Sequence, residues 1–318
     1  MLTYHLLSTS PSPGGKDDLM NRRKFQTSLL LGASGLPLLS SLRAQDTEPA
    51  PTARPIGVCD WTMGKRHSLD AFDLAKKLGL EGVQVSFGEP GSAIDLRKAD
   101  HRKQLFERAA KTDVRVASLG MAILNKHPYA SHADAETWVA DSVDVVAAMK
   151  KEFPDAAPSV VLLAFFSKGD INGKPEGMAA VIKRLKKVAP KAEDAGVVFG
   201  IESLLNNDDH LRIIDEVGSK SVQVYYDTAN SNRMGYDIYK EVRELGAERI
   251  CEIHCKENGN RISEGKIDFP KFKAALDDID YKGWLILEGS KVKGNELEAD
   301  YKANRDHLFR VFRDADKK

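Results

Sequence analysis

Eight times between residue 56 and the last residue, a short run of β-branched and aromatic residues is followed by a segment with helical apolar spacing. This alternation predicts strands at Ile56–Trp61, Gly82–Phe87, Val114–Ala122, Ser159–Phe166, Val197–Ser203, Val222–Thr228, Ile250–Lys256 and Trp284–Gly289. The helices between and after them are predicted at Ser68–Leu78, Ala99–Lys111, Ala133–Phe153, Gly177–Asp194, Asp208–Val217, Asp237–Leu245, Phe269–Asp277 and Glu296–Phe312. Strand–helix alternation implies a parallel α/β fold, and eight units imply a single-domain (β/α)8 TIM barrel over residues 56–318. A doubly wound sheet is the alternative, but no Gly-rich phosphate loop follows the first strand. A hydrophobic content of 42% and a charged content of 30% exclude disordered, collagen-like and coiled-coil chains. Three cysteines, an odd number, make no disulfide framework.

The first 44 residues read as an export signal instead of fold. Arg22, Arg23, Lys24 and Phe25 precede an apolar stretch, Leu29–Leu42, that ends at the small residue Ala44. The stretch is too short for a membrane span, which needs about 20 apolar residues. A basic segment, a modest apolar segment and a small cleavage residue predict secretion, and the paired arginines resemble a twin-arginine signal. Met20 is then the expected true start, residues 45–55 a linker, and the periplasm the destination. Equal counts of Lys+Arg and Asp+Glu, 47 each, become 42 and 45 once residues 1–44 are removed, a net charge of −3. No basic footprint for nucleic acid remains. A twin-arginine substrate crosses the membrane folded, so a metal can be loaded beforehand, which suits a weakly competing ion such as Mn²⁺.

Residues two apart on a strand share a face. In Ile250–Lys256 the apolar Cys251, Ile253 and Cys255 alternate with Glu252, His254 and Lys256; Phe199 and Ile201 alternate with Gly200 and Glu202. Val224 and Tyr226 alternate with Gln223, Tyr225 and Asp227, and Leu285 and Leu287 with Trp284, Ile286 and Glu288. If the apolar faces meet the helices, Glu202, Asp227, His254 and Glu288 point into the barrel near the C-terminal ends of its last four strands, where barrel active sites form. Singly, each also fits a structural part: Asp227 as a helix cap, His254 as a core histidine, either glutamate as a lysine-paired acid. Together, three carboxylates and one imidazole suit a hard or borderline divalent cation with positions left for substrate. Cys251 and Cys255 are expected on the helix side and not as ligands.

The stretches Gly200-Ile201-Glu202, Tyr226-Asp227-Thr228, Ile253-His254-Cys255-Lys256 and Leu287-Glu288-Gly289 resemble the sugar phosphate isomerase/epimerase group of the xylose isomerase-like TIM barrel superfamily. Support comes from Glu264-Gly265-Lys266-Ile267-Asp268-Phe269 and Tyr281-Lys282-Gly283-Trp284, and the resemblance spans about residues 54–313. It implies one divalent metal ion, Mn²⁺ favoured over Mg²⁺, Co²⁺ or Zn²⁺, on Glu202, Asp227, His254 and Glu288, with Glu202 and Glu288 as the acid/base pair. The implied chemistry is removal of the proton next to a keto-sugar carbonyl to give an enediolate. Return to the opposite face is epimerisation, return to the neighbouring carbon is isomerisation, and loss of a β-leaving group is a lyase outcome on a keto sugar or cyclitol.

The chain departs from the family pattern at three places. Asn230 stands where many relatives have a histidine, Gln84 and Ser86 where the second strand often ends in an acid, and Asn260 followed by Arg261 where epimerases carry an arginine. These differences point away from a simple free ketose and toward an oxidised sugar, cyclitol or glycoside. Substrate contacts are expected from Lys256, Asn230, His127, Trp61 and Arg261. The expected partner is a small-molecule carbohydrate, with no nucleic acid and no stable membrane insertion after signal removal; a homo-oligomer is left open. Two rivals remain. An abasic-site endonuclease is disfavoured by Asn230, by only eight histidines and by the acidic mature charge. A non-catalytic carbohydrate-binding barrel is the other.

Overall fold

The computed structural model describes residues 54–314. The export signal read at residues 1–44 lies outside them, as does the linker apart from Arg54 and Pro55. Those two already belong to the barrel: Arg54 Nε donates to Tyr281 O at 2.8 Å, and Pro55 O accepts from Leu285 N at 2.9 Å.

Eight parallel strands close in sequence order, the first pairing with both the second and the last. They are β1 (Ile56–Cys59), β2 (Gly82–Ser86), β3 (Arg115–Met121), β4 (Val160–Ala164), β5 (Val198–Glu202), β6 (Val222–Asp227), β7 (Ile250–Cys255) and β8 (Leu285–Leu287). Around them run α1 (Asp70–Leu78), α2 (Ala99–Thr112), α3 (Ala133–Glu152), α4 (Pro175–Asp194), α5 (Asn207–Val217), α6 (Thr228–Arg233), α7 (Ile238–Leu245), α8 (Phe269–Asp278) and α9 (Leu297–Phe309). The expected (β/α)8 barrel is therefore the fold. Its addition is α6, a short helix started by Asp227, where the sequence pattern extends a strand through Thr228. Local chemistry sets the other ends: Asn206 caps α5 by accepting from Asp209 N at 2.9 Å, and Pro175 opens α4 where no helical N–H is needed.

The main apolar layer lies between strands and helices. Phe199, Ile253, Phe269 and Phe272 are fully buried there, each side chain contributing about 1.5–3 kcal/mol on burial. Inside the barrel, Trp61 lies over Gly120, where an added Cβ would meet the indole at 2.7 Å, so a side chain at 120 would displace the tryptophan.

Simple alternation fails at one position. The register between β6 and β7 shifts, pairing Val224 with Ile250 but Tyr225 with Glu252, so Cys251 is the extra residue of a bulge. Its side chain packs inside the barrel with Leu162, Ala164 and Tyr225, not in the helix layer where alternation puts it. Cys255, beyond the bulge, does lie in the helix layer. No helix among the described residues is long and apolar enough to cross a membrane.

Candidate metal centre

The last four strands deliver one ionisable residue each to the same rim. Glu202 ends β5, Asp227 ends β6, His254 is the penultimate residue of β7, and Glu288 directly follows β8. Strand pairing sets Asp227 beside His254 and His254 beside Ile286. One ligand atom from each of the four lies within 4.8 Å of all the others. His254 Nδ1 is the hub, at 3.0 Å from Glu202 Oε1, 3.5 Å from Glu288 Oε2 and 3.8 Å from Asp227 Oδ2. The exposure of these side chains runs from 0% at His254 to 13% at Glu288.

Two features of these residues fit a cation. Asp227 does two jobs: Oδ1 accepts from Asn230 N at 2.8 Å and so caps α6, while Oδ2 is buried without a hydrogen-bond partner and faces the cluster. On the far side of the imidazole, His254 Nε2 meets Gln84 Oε1 at 2.8 Å. That carbonyl oxygen accepts from Nε2–H, so a cation that displaces the other ring proton meets the Nδ1 lone pair on the side of the carboxylates. Three oxygen donors and one imidazole nitrogen form a set suited to a hard or borderline divalent ion.

The electrostatics agree. Burial pushes the Asp227 carboxyl up to about 7, against the opposing charge of Lys256. Burial disfavours the imidazolium of His254, but Glu202 and Glu288 outweigh it and lift the ring to about 9. Burial likewise works against the Glu288 carboxylate, yet His254 and Lys256 hold it down at about 2. The cluster thus keeps protons on groups that a divalent cation would deprotonate and bind.

A cavity of about 440 Å³ opens over the cluster, with Trp61, Asn230, Lys256, Glu202 and Glu288 in its wall. Lys256 Nζ is 2.7 Å from Glu288 Oε2, and Trp61 Nε1 donates to Glu288 Oε1 at 2.9 Å. Both oxygens of Glu288 are therefore oriented by side chains that also face the cavity.

Two of the expected substrate contacts are elsewhere. His127 packs edge-on against His132 and Trp138, with ring centroids 4.6 and 5.5 Å away, and is not part of the cavity wall. Arg261 Nε is engaged by Asp300 Oδ1 at 2.7 Å, which ties its loop to α9 and turns the guanidinium from the site. Conversely, Arg66 and Arg233 line the cavity without any sequence signal beyond following β1 and β6. The orienting role of Gln84 was visible only as a departure from the family pattern.

A model of the xylose isomerase-like TIM barrel family matches residues 72–311. The chain belongs to the xylose isomerase-like TIM barrel family. Within that family, it is 29% identical over 145 residues to the D-psicose 3-epimerase of Enterocloster bolteae, covering 42% of this chain and 48% of that protein. The chain thus aligns with about half the length of this relative. It is 23% identical over 202 residues to the 2-epi-5-epi-valiolone 7-phosphate 2-epimerase of Actinoplanes sp., covering 64% of this chain and 72% of that protein. In three dimensions, a D-psicose 3-epimerase crystallised in the presence of D-fructose superposes with a TM-score of 0.66 at 16% identity, over 81% of this chain and 99% of the other. This xylose isomerase-like barrel therefore shares its fold with that structure.

Proposed function

We propose that this protein is a divalent-metal-dependent sugar isomerase/epimerase acting on a keto sugar or related polyol, with Mn²⁺ the favoured ion. The observation that carries the reading is the convergence of Glu202, Asp227, His254 and Glu288 within 4.8 Å beneath an open cavity. Kinship with the two epimerases adds support. A cation on those four residues would polarise the substrate carbonyl and stabilise charge developing on its oxygen.

The chain's own residues supply the proton transfers. Glu202 and Glu288 are the acid/base pair, one taking the proton next to the carbonyl and the other returning it to the opposite face. Trp61 and Lys256 fix the carboxylate of Glu288 through both oxygens, which limits the directions in which it can exchange a proton. Lys256 and Asn230 face the cavity as donors for sugar hydroxyls, and the Trp61 indole offers a surface for a sugar ring. Export by a twin-arginine signal to the periplasm completes the reading; intact mass of secreted protein tests cleavage after Ala44.

The experiment is loss of the α-proton to D₂O, followed by proton NMR on Mn²⁺-loaded protein with a panel of ketoses and keto-cyclitols. Exchange in the wild type that disappears in Glu202→Gln and Glu288→Gln is the expected result. Absence of exchange from every keto sugar and cyclitol would move a binding role ahead.

A further inference from the structure

Beyond the clustered ligands, the charge of the cavity wall has one sign. Arg66, on the loop after β1, and Arg233, the last residue of α6, both line it, and among the described residues its only carboxylates are Glu202 and Glu288. β1 and β6 stand three strands apart on the ring, so the two guanidinium groups reach the cavity from different sides.

Among the described residues neither arginine has an ion-pair partner. Asp60 feels the charge of Arg66, but its carboxylate is occupied by Ser86 N at 2.8 Å and Ser86 Oγ at 2.5 Å. Arg233 is not needed by its own helix, because the carbonyls of Asn230, Ser231 and Asn232 already accept from the backbone of Met234, Tyr236 and Gly235. Several other described arginines are held by carboxylates, as Arg97 is by Asp141 and Arg102 by Glu152. Three carboxylates would balance a divalent cation and the Lys256 ammonium, so Arg66 and Arg233 are the uncompensated charge of this pocket.

A guanidinium presents a planar fork that matches carboxylate and phosphate oxygens. We propose that Arg66 and Arg233 form an anion-binding subsite, and that the substrate is a keto sugar carrying a carboxylate or phosphate remote from its carbonyl. The anion lies remote from the carbonyl because the carbonyl would sit at the four clustered residues, whereas Arg66 and Arg233 belong to the cavity wall outside that cluster. The proposal rests on the proton-transfer function above and narrows its substrate class.

The test uses the full Mn²⁺-loaded chain and D-fructose, D-fructose 6-phosphate and D-fructuronate as probes of α-proton exchange. Wild type is compared with Arg66→Ala and Arg233→Ala, both changes at exposed positions. The expected KM for at least one anionic ketose is about tenfold below that for D-fructose, and either substitution raises it about tenfold, well beyond any change for D-fructose. Whichever of the phosphate and the uronate shows the larger effect identifies the anion. Equal KM values with no selective loss in the variants would overturn the subsite. If none of the three exchanges, the wider panel of keto sugars and keto-cyclitols decides the proton-transfer function, and calorimetric titration with inorganic phosphate decides the subsite separately. Binding weakened about tenfold by either substitution upholds it, and absent or unchanged binding overturns it.

Discussion

Gln84 Oε1 stands 2.8 Å from His254 Nε2, with both side chains fully buried inside the barrel. The contact selects the tautomer of His254 that offers Nδ1 to a cation. Gln84→Leu is therefore expected to weaken Mn²⁺ binding by about 10–100-fold, and Gln84→Glu to retain it through a carboxylate–imidazole pair. Metal titration followed by electron paramagnetic resonance reads both. Equal affinity in wild type and Gln84→Leu would remove Gln84 from the metal centre.

The four clustered residues give a second expectation. Wild type should hold one divalent ion per chain by elemental mass spectrometry, and the double variant Glu202→Gln/Glu288→Gln should lose it. Either single variant should lower α-proton exchange by about 10²–10⁴-fold, the range for loss of one acid/base group. A double variant that keeps its metal would mean that these carboxylates are not ligands.

His210 links acid stability to a buried ring. Burial lowers it from 6.5 to about 4, and Nε2 is engaged by Ser203 Oγ at 2.9 Å. The folded chain keeps this histidine neutral while the unfolded chain takes up a proton below 6.5, so stability falls as pH drops from 6.5 toward 4. The loss is on the order of 3 kcal/mol at the acid end. Urea unfolding at pH 5 and pH 7.5 should show this slope in wild type and a flatter one in His210→Gln; the same slope in both would refute the assignment.

Asn304 on α9 joins the loops that follow β7 and β8. Its Oδ1 accepts from Ile262 N at 2.9 Å and its Nδ2 donates to Ser290 O at 2.6 Å, with the side chain fully buried. Asn304→Ala leaves both backbone groups unpaired, at a cost of about 3 kcal/mol. Because Ser290 lies two residues from Glu288, α-proton exchange should fall as well. Denaturant midpoints and exchange rates check the pair; an unchanged midpoint would show that water replaces the amide.

The barrel and the inward face of its last strands were legible because both are periodic along the chain. Repeated strand–helix units announce the fold, and alternation turns Glu202, Asp227, His254 and Glu288 to one side. Alternation misplaced Cys251, since a bulge depends on the register of the neighbouring strand and not on the residue itself. His127 and Arg261 follow strands toward the correct rim, yet a ring cluster and the buried Asp300 draw them off. Gln84 and His254 are 170 residues apart, and Arg66 meets the cavity of Arg233 only because β8 closes onto β1. By itself the sequence determined the architecture and the chemical types at the rim, because those are local patterns of apolar and polar residues. Only the tertiary structure decided which side chains face one cavity and which are claimed by other partners, because closure of the ring and competition among hydrogen bonds act between residues distant in the chain.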